Sequence, residues 1–292
     1  MDEKEWLADR FEEHRDHMRA AAYRMLGSLT EAEDAVQDAW LRVSKAGADQ
    51  VENIGGWLTT IVARVCLNML RSRKVRREEF GLPDPVISRD ELQPDEEAVL
   101  ADSVGLALLV VLDKLSPVER LAFVLHDMFQ FPFDEIAPVV DRSPAAARQL
   151  ASRARRRVKD AEIPAPDSNL AKQREVVDAF FLAAREGRLD ALVEVLDPDV
   201  VLRADSGAKR PAATGVFRGP EAVANQSLRG AIPGALVQPA LVNGTAGVVI
   251  TVRGRPIAVM GFTVRDGMIL EIDALADPDR VGAITADFLR QG

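Results

Sequence analysis

Apolar residues in the first 80 positions recur at the spacing of one helix face. Val36, Ala39, Trp40 and Val43 stand at i, i+3, i+4 and i+7, which predicts an amphipathic helix with these residues inward. Thr30 precedes them with Glu33 three residues on, the spacing of a capping box. A second helix is expected after Gly55-Gly56, with Leu58, Ile61, Val62, Val65 and Met69 on its buried side. From Gly81 to Glu97 the period is lost, and Pro83, Pro85 and Pro94 stand among acids, so this stretch reads as a linker. Helical pattern resumes at about Ala98 and runs to Asp160. Ile163-Pro164-Ala165-Pro166-Asp167-Ser168 reads as a second, shorter linker.

Beyond it the period changes. Helical stretches at about Leu170–Glu186 and Leu189–Leu196 precede runs with strand character: Val200–Ala204, Ala240–Val242, Gly247–Arg253, Ile257–Val264 and Met268–Ala274. Asn243-Gly244 and Asp266-Gly267 are hairpin-turn signals. The expected architecture is multidomain: two all-α domains at residues 1–80 and 98–162, joined by a linker at 81–97, then an α+β domain at 163–292 with helices first and an antiparallel sheet after.

Charge sharpens this picture. The net charge of −9 argues at first against nucleic acid, but the basic residues are segregated. Arg64, Arg71, Arg73, Lys74, Arg76 and Arg77 fall in one acid-free run. Arg142, Arg148, Arg153, Arg155, Arg156, Arg157 and Lys159 fall in another, while Phe80 to Asp141 holds thirteen acids against three basic residues. Two concentrated cationic segments on an acidic chain suggest two phosphate-binding faces, with repulsion elsewhere limiting non-specific DNA binding. The charged start lacks a signal-peptide apolar region, and no run approaches the roughly 20 apolar residues of a membrane span. The single Cys66 allows no internal disulfide. A cytoplasmic protein without membrane contact is expected, with no cofactor and no metal; His14, His17 and His126 lack the neighbouring ligands that a metal needs.

Phe131 to Lys159 carries the most specific chemistry. Pro132-Phe133-Asp134-Glu135-Ile136-Ala137 opens a short helix, Asp141-Arg142 makes a turn, and Ser143-Pro144 supplies an N-cap and a first-turn proline for the next helix. There Ala147, Leu150, Ala151, Ala154 and Val158 form one face, and Arg148, Gln149, Ser152, Arg156 and Lys159 the other. This is the pattern of a helix-turn-helix. Arg pairs bidentately with guanine and Gln with adenine, while Ser and later arginines hold phosphates. The candidate contacts are Ser143, Ala145, Ala146, Arg148, Gln149, Ser152, Arg153 and Arg156. Pro138 fits poorly inside the first helix and predicts a kink or a short helix.

These motifs resemble, in order, those of the extracytoplasmic-function sigma factors, promoter-specificity subunits of bacterial RNA polymerase. Tyr23-Arg24-Met25-Leu26-Gly27 with Ala32-Glu33-Asp34-Ala35-Val36-Gln37-Asp38-Ala39-Trp40-Leu41 resembles the polymerase-clamp-binding stretch of the family's helical region two. Trp57-Leu58-Thr59-Thr60-Ile61-Val62-Ala63-Arg64, with Asn68 and Arg71, resembles its promoter-melting and −10-reading helix. Leu115-Ser116-Pro117-Val118-Glu119-Arg120 and the helix-turn-helix resemble region four, which reads the −35 element. The family's turn glycine is replaced by Asp141, which can enter the left-handed region. The resemblance implies that core polymerase binds at Asp34, Gln37, Asp38 and Leu41. It implies phosphate contacts for the opening promoter from Arg64, Asn68, Arg71, Arg73, Lys74, Arg76 and Arg77, with unstacked bases captured near Lys45 to Gly56.

Residues beyond about 163 resemble the SnoaL-like branch of the NTF2-like α+β cone fold, which in a subgroup of these factors touches the sigma regions and modulates activity. The subgroup's motifs survive in part as Gly81-Leu82-Pro83-Asp84-Pro85, Asp205-Ser206-Gly207-Ala208-Lys209 and Asp277-Pro278-Asp279-Arg280-Val281. The implied interdomain residues are Pro83, Pro85, Asp205, Lys209, Asp277, Pro278 and Asp279. Charge reversal at Asp205 or Asp279 is expected to change transcription without changing the fold. Enzymes of the cone fold use a His/Asp or Tyr/Asp pair, and this domain has neither His nor Tyr. Its Asp205, Glu271 and Asp273 read as solvated strand carboxylates. A small hydrophobic ligand in this domain and a separate anti-sigma factor are further partners to weigh. Two other readings stay open: a ligand-sensing helix-turn-helix regulator acting without polymerase, and a cone-fold enzyme fused to a DNA-binding module.

Overall fold

A computed structural model of the chain describes residues 3–46, 53–76, 81–89, 105–210 and 213–290. They form two compact units, one of residues 1–80 with 108–163, the other of 81–107 with 164–292. Among the described residues no helix is long and apolar enough to cross a membrane.

The first unit is helical. Helices α1 (Glu3–Glu13), α2 (Arg15–Leu26), α3 (Leu29–Ala46) and α4 (Ile54–Arg76) pack through Leu7, Met18, Tyr23, Met25, Leu26, Val36, Ala39, Val43, Leu58 and Val62, all buried. Gly27 takes a left-handed conformation at φ 72° and returns its N–H to the Tyr23 carbonyl at 2.7 Å, closing α2. The next helix starts one residue before the expected cap: Ser28, not Thr30, accepts the Glu31 amide at 3.4 Å. Likewise α4 begins before Gly55-Gly56, capped by Asn53, whose Oδ1 accepts from Gly56 N at 3.0 Å. Trp40 is half-buried with its ring 5.0 Å from Phe11, which makes it a packing residue.

Helices α5 (Leu106–Asp113) and α6 (Pro117–Phe123) lead into a π-helical turn, Val124–Met128. Then α7 (Phe133–Val140) and α8 (Pro144–Asp160) follow with Asp141 at φ 57° between them. The helix containing Pro138 is only eight residues long, which limits what the missing N–H costs. Arg120 on α6 is 2% exposed. Its guanidinium donates to the Arg24 carbonyl of α2 at 3.3 Å and to Asp113 at 3.1 Å, fastening the later helices to the earlier four.

The second unit is α+β. Strand β1 (Ile87–Ser88) comes first. Helices α9 (Leu170–Glu186) and α10 (Leu189–Glu194) precede β2 (Leu196–Asp205), β3 (Gly215–Arg218) and α11 (Pro220–Gly230). Strands β4 (Leu236–Val242), β5 (Thr245–Val252), β6 (Arg255–Arg265) and β7 (Met268–Leu275) then meander, before α12 (Pro278–Ile284) and α13 (Ala286–Arg290). The seven strands lie in the order β1-β4-β5-β6-β7-β2-β3. The sheet is mixed rather than antiparallel, because β2 runs parallel to β7, with Leu202 beside Ile272. Alternation along the strands splits the core in two. Val248 packs with Val177, Phe180, Leu192, Val223 and Phe262 under α9, α10 and α11. The neighbouring Val249 packs on the other side with Ile87, Val242, Val259, Val281 and Phe288.

The segment from Gly81 that reads as a linker is, over its described part, a component of this unit. Leu82 to Ile87 are buried, and β1 pairs antiparallel with β4 through Ile87–Val242 and Ser88–Leu241. The rest of the expected linker, residues 90–97, lies outside the described residues.

Replacing Arg120 by Met keeps the apolar stem and removes the guanidinium that serves the Arg24 carbonyl. The helical unit is expected to lose about 2 kcal/mol or more of stability, read as a lower urea midpoint at unchanged slope.

Candidate nucleic-acid and polymerase surfaces

Three surfaces of the helical unit carry its sequence-derived site residues. On α3, Asp34, Gln37 and Leu41 are exposed, and Asp38 is half-exposed, bonded to Arg42 at 2.8 Å. Their spacing of i, i+3, i+4 and i+7 puts them on one face. Leu41 is 55% exposed, a large apolar side chain on an otherwise polar surface. It borders a groove of about 250 Å³ between α1 and α3, lined also by Phe11, Arg15, Gln37 and Trp40. A polar rim around an apolar groove is a protein-docking chemistry.

On α4, Arg64, Asn68 and Arg71 are exposed. At about 100° per residue they fall within one sector, so the helix presents them together. Arg64 also donates to the Pro138 carbonyl of α7 at 3.5 Å. Arg73 does not belong with them. Two positions past Arg71 it turns to the opposite side, is 7% exposed, and donates to Glu31 at 3.1 Å and to the Leu26 carbonyl at 3.1 Å. Its role is structural, clamping α4 to the start of α3. The side chains of Lys74 and Arg76, and Arg77 as a whole, lie outside the described residues, as do residues 47–52 of the expected base-capture loop.

On α8 the inner face of Ala147, Leu150, Ala151 and Ala154 is buried. Ser143 caps the helix, its Oγ accepting from Ala146 N at 3.3 Å, with Pro144 next. Ala145, Arg148, Gln149, Ser152, Arg153 and Arg156 are exposed, and Ala146 is half-exposed. The arginines divide into two kinds. Arg153 and Arg157 lie 3.5 Å and 3.0 Å from Glu119, and Arg155 lies 2.7 Å from Asp127. Burial pushes the Glu119 carboxyl up, but hydrogen bonds from Ser116 and the charges of Arg157 and Arg153 outweigh it and hold the group below the usual carboxylate range. Arg148 and Arg156 are exposed with no carboxylate within 4 Å among the described residues, and the Arg148 guanidinium lies over the Phe133 ring.

In the second unit only some of the interdomain candidates gather at Gly81–Ser88. Asp205 is 5% exposed; its Oδ2 accepts from Leu82 N at 3.0 Å and its Oδ1 from Gly207 N at 3.0 Å. Pro83 and Pro85 are buried as well. Asp277 caps α12, accepting from Asp279 N and Arg280 N at 2.9 Å and 3.2 Å, with Pro278 at the first turn. That cap aims Arg280, absent from the expected set, into the centre. Its guanidinium donates to Asp84 at 2.7 Å, to Asp205 at 2.8 Å and to the Leu82 carbonyl. Arg280 stands within the motif Asp277-Pro278-Asp279-Arg280-Val281, so the signal that could have found it was that motif's one cation.

Lys209 and Asp279 pair at 2.8 Å on the open surface, where such a bridge contributes little. Asp205 and Asp279 are thus unequal: reversal at Asp279 leaves the interior untouched, whereas reversal at Asp205 would place like charge against Arg280 and disturb the local fold. Glu271 and Asp273, expected to be solvated, are instead held by Arg203 at 2.8 Å and 2.6 Å.

Comparison with known proteins matches these surfaces in order. The Sigma-70 region 2 family covers residues 10–76, and Sigma-70, region 4 covers residues 105–158. The ECF RNA polymerase sigma factor SigJ of Mycobacterium tuberculosis is 39% identical, over 92% of this chain and 91% of that protein. The probable ECF RNA polymerase sigma factor SigI of the same species is 33% identical, over 94% of each. The crystal structure of M. tuberculosis SigJ superposes with a TM-score of 0.70 at 35% identity, covering 94% of this chain and 97% of that one. Both helical regions and the α+β extension fall within those shares, and the chain belongs to the ECF RNA polymerase sigma factors, which direct bacterial RNA polymerase to promoters.

Proposed function

We propose that this sigma factor reads its promoter in two places and is controlled in cis through the segment Gly81–Ser88. Core polymerase docks on the α3 face of Asp34, Gln37, Asp38 and Leu41. Arg64, Asn68 and Arg71 of α4 hold the −10 strand as it opens, and the outer face of α8 reads the −35 duplex through Arg148 and Gln149. The α+β domain acts as a regulatory body rather than an enzyme.

The observation that carries the regulatory part is the cluster of the half-buried Arg280 with the buried Asp84 and Asp205. A charge removed from water needs a counter-charge or hydrogen bonds to offset its desolvation. Here the connecting segment supplies one carboxylate, the α+β domain the other, and α12 the shared cation. The domain thereby holds Gly81–Ser88, the described part of the segment between regions two and four. Ligand capture is less well supported, because Phe180, Phe181 and Phe262 fill the space between α9 and the sheet with ring centroids 5.4 to 5.9 Å apart.

The test is in vitro transcription with bacterial core polymerase and the full chain. Alanine at Arg64 or Arg71 is expected to lower open-complex formation and to reduce the salt slope of promoter binding by about 1 per lost phosphate contact. Alanine at Arg73 should instead lower thermal stability with little change in that slope. Equal salt slopes for all three variants would remove α4 from the DNA surface.

Arg280→Gln should leave Asp84 and Asp205 without their cation. Hydrogen exchange at the Leu82 and Val86 amides is expected to quicken by roughly tenfold or more, and promoter-specific transcription to change severalfold. Quickened exchange with an unchanged transcript yield would sink the control in cis.

A further inference from the structure

Reading guanine with arginine demands that a long side chain hold its planar fork in one orientation. The arginines of α8 meet that demand in different ways. Arg153, Arg155 and Arg157 are fastened to Glu119 or Asp127, which spends donors and neutralises charge. Arg148 is held by an aromatic face instead. Its guanidinium carbon lies 5.3 Å from the ring centroid of Phe133, at the first position of α7. That is within cation–π reach.

Phe133 is itself fixed from within the unit. Its ring stacks on His126 at 3.9 Å between centroids with an interplanar angle of 30°. The imidazole is oriented in turn by Nδ1, 2.9 Å from the Phe131 carbonyl. A carbonyl only accepts, so Nδ1 carries the proton and donates it. His126 lies in the π-helical turn Val124–Met128, so the chain of support runs from that turn through two rings to Arg148.

We infer that Phe133, backed by His126, is a specificity-determining positioning residue that orients Arg148 for bidentate contact with a guanine of the −35 duplex. The contact with a π face engages the cation without consuming its N–H donors, so the fork stays free for the O6 and N7 acceptors of the base. Neither ring touches DNA in this reading. It rests on the assignment of α8 as the −35 reader, and the experiment separates the two.

Holoenzyme reconstituted from bacterial core polymerase and the full chain would be offered a promoter library randomised over the −35 hexamer, and bound fractions sequenced. Arg148→Ala should flatten preference at one base pair by roughly tenfold or more. Phe133→Leu, which keeps an apolar side chain but no π face, should weaken preference at that same pair by roughly two- to fivefold and leave the other positions unchanged. Phe133→Tyr should restore it, and Phe133→Leu added to Arg148→Ala should cost nothing further. Thermal unfolding of each variant guards against a folding defect.

If Phe133→Leu weakens all positions equally, or leaves intact a preference that Arg148→Ala removes, the positioning role is wrong while α8 remains the reader. If Arg148→Ala changes no preference, Arg148 does not read DNA and the role assigned to Phe133 falls with it.

Discussion

A guanidinium at 2% exposure is the fixed point of the helical unit. Arg120 donates to the Arg24 carbonyl and to Asp113, and with its Nη2 already buried without a hydrogen-bond partner among the described residues, losing either acceptor is costly. The same logic repeats at Arg73 with Glu31, at Arg203 with Glu271 and Asp273, and at Arg280 with Asp84 and Asp205. In each case the apolar surroundings raise the cost of a lost partner, so helix or strand positions on both sides of the pair become fixed together. Apolar packing supplies the cohesion of each unit. These pairs select which packing is adopted, because a shifted register would strand a buried charge.

That division explains why the sequence could show the surfaces but not all their members. A basic run names candidates for phosphate contact; only the helical angle separates Arg64 and Arg71 from Arg73, and only the acid at Glu31 shows what Arg73 does instead. Both clues were present, at a distance of 42 residues for the second. The helix-turn-helix was legible almost to the atom, since Ser143-Pro144 and the small inner residues are local signals that local geometry obeys. The cap at Ser28 was hidden by Thr30, a residue equally able to cap, because the choice between them is made by the turn at Gly27.

The sheet was harder to read. Asn243-Gly244 and Asp266-Gly267 announced their hairpins, and both pairs take positive φ. Arg253-Gly254 makes a like turn, at φ 51° and 74°, with a first residue that carries no such preference. The parallel pairing of β2 with β7 joins strands more than 60 residues apart, and no local pattern encodes it. Composition was misleading at Gly81–Ser88. Prolines and acids there suggested a solvated linker, yet the prolines stiffen an extended segment and an acid is buried because a cation waits for it. At Gly81 a β-carbon would come within 1.9 Å of Asp205 Oδ2, so the close approach that permits the Leu82 amide bond requires glycine.

Net acidity and DNA binding are reconciled by the same bookkeeping of partners. A cation that is paired inside its own unit adds little attraction for phosphate, whereas one left outward adds its full charge. On α8 the acids Glu119 and Asp127 pair with Arg153, Arg155 and Arg157, while Arg148 near its start and Arg156 between the paired arginines have no carboxylate partner among the described residues. An acidic remainder then disfavours every other orientation. Which arginines of α8 remain available to a partner is thus decided within the fold, by which of them it has already occupied.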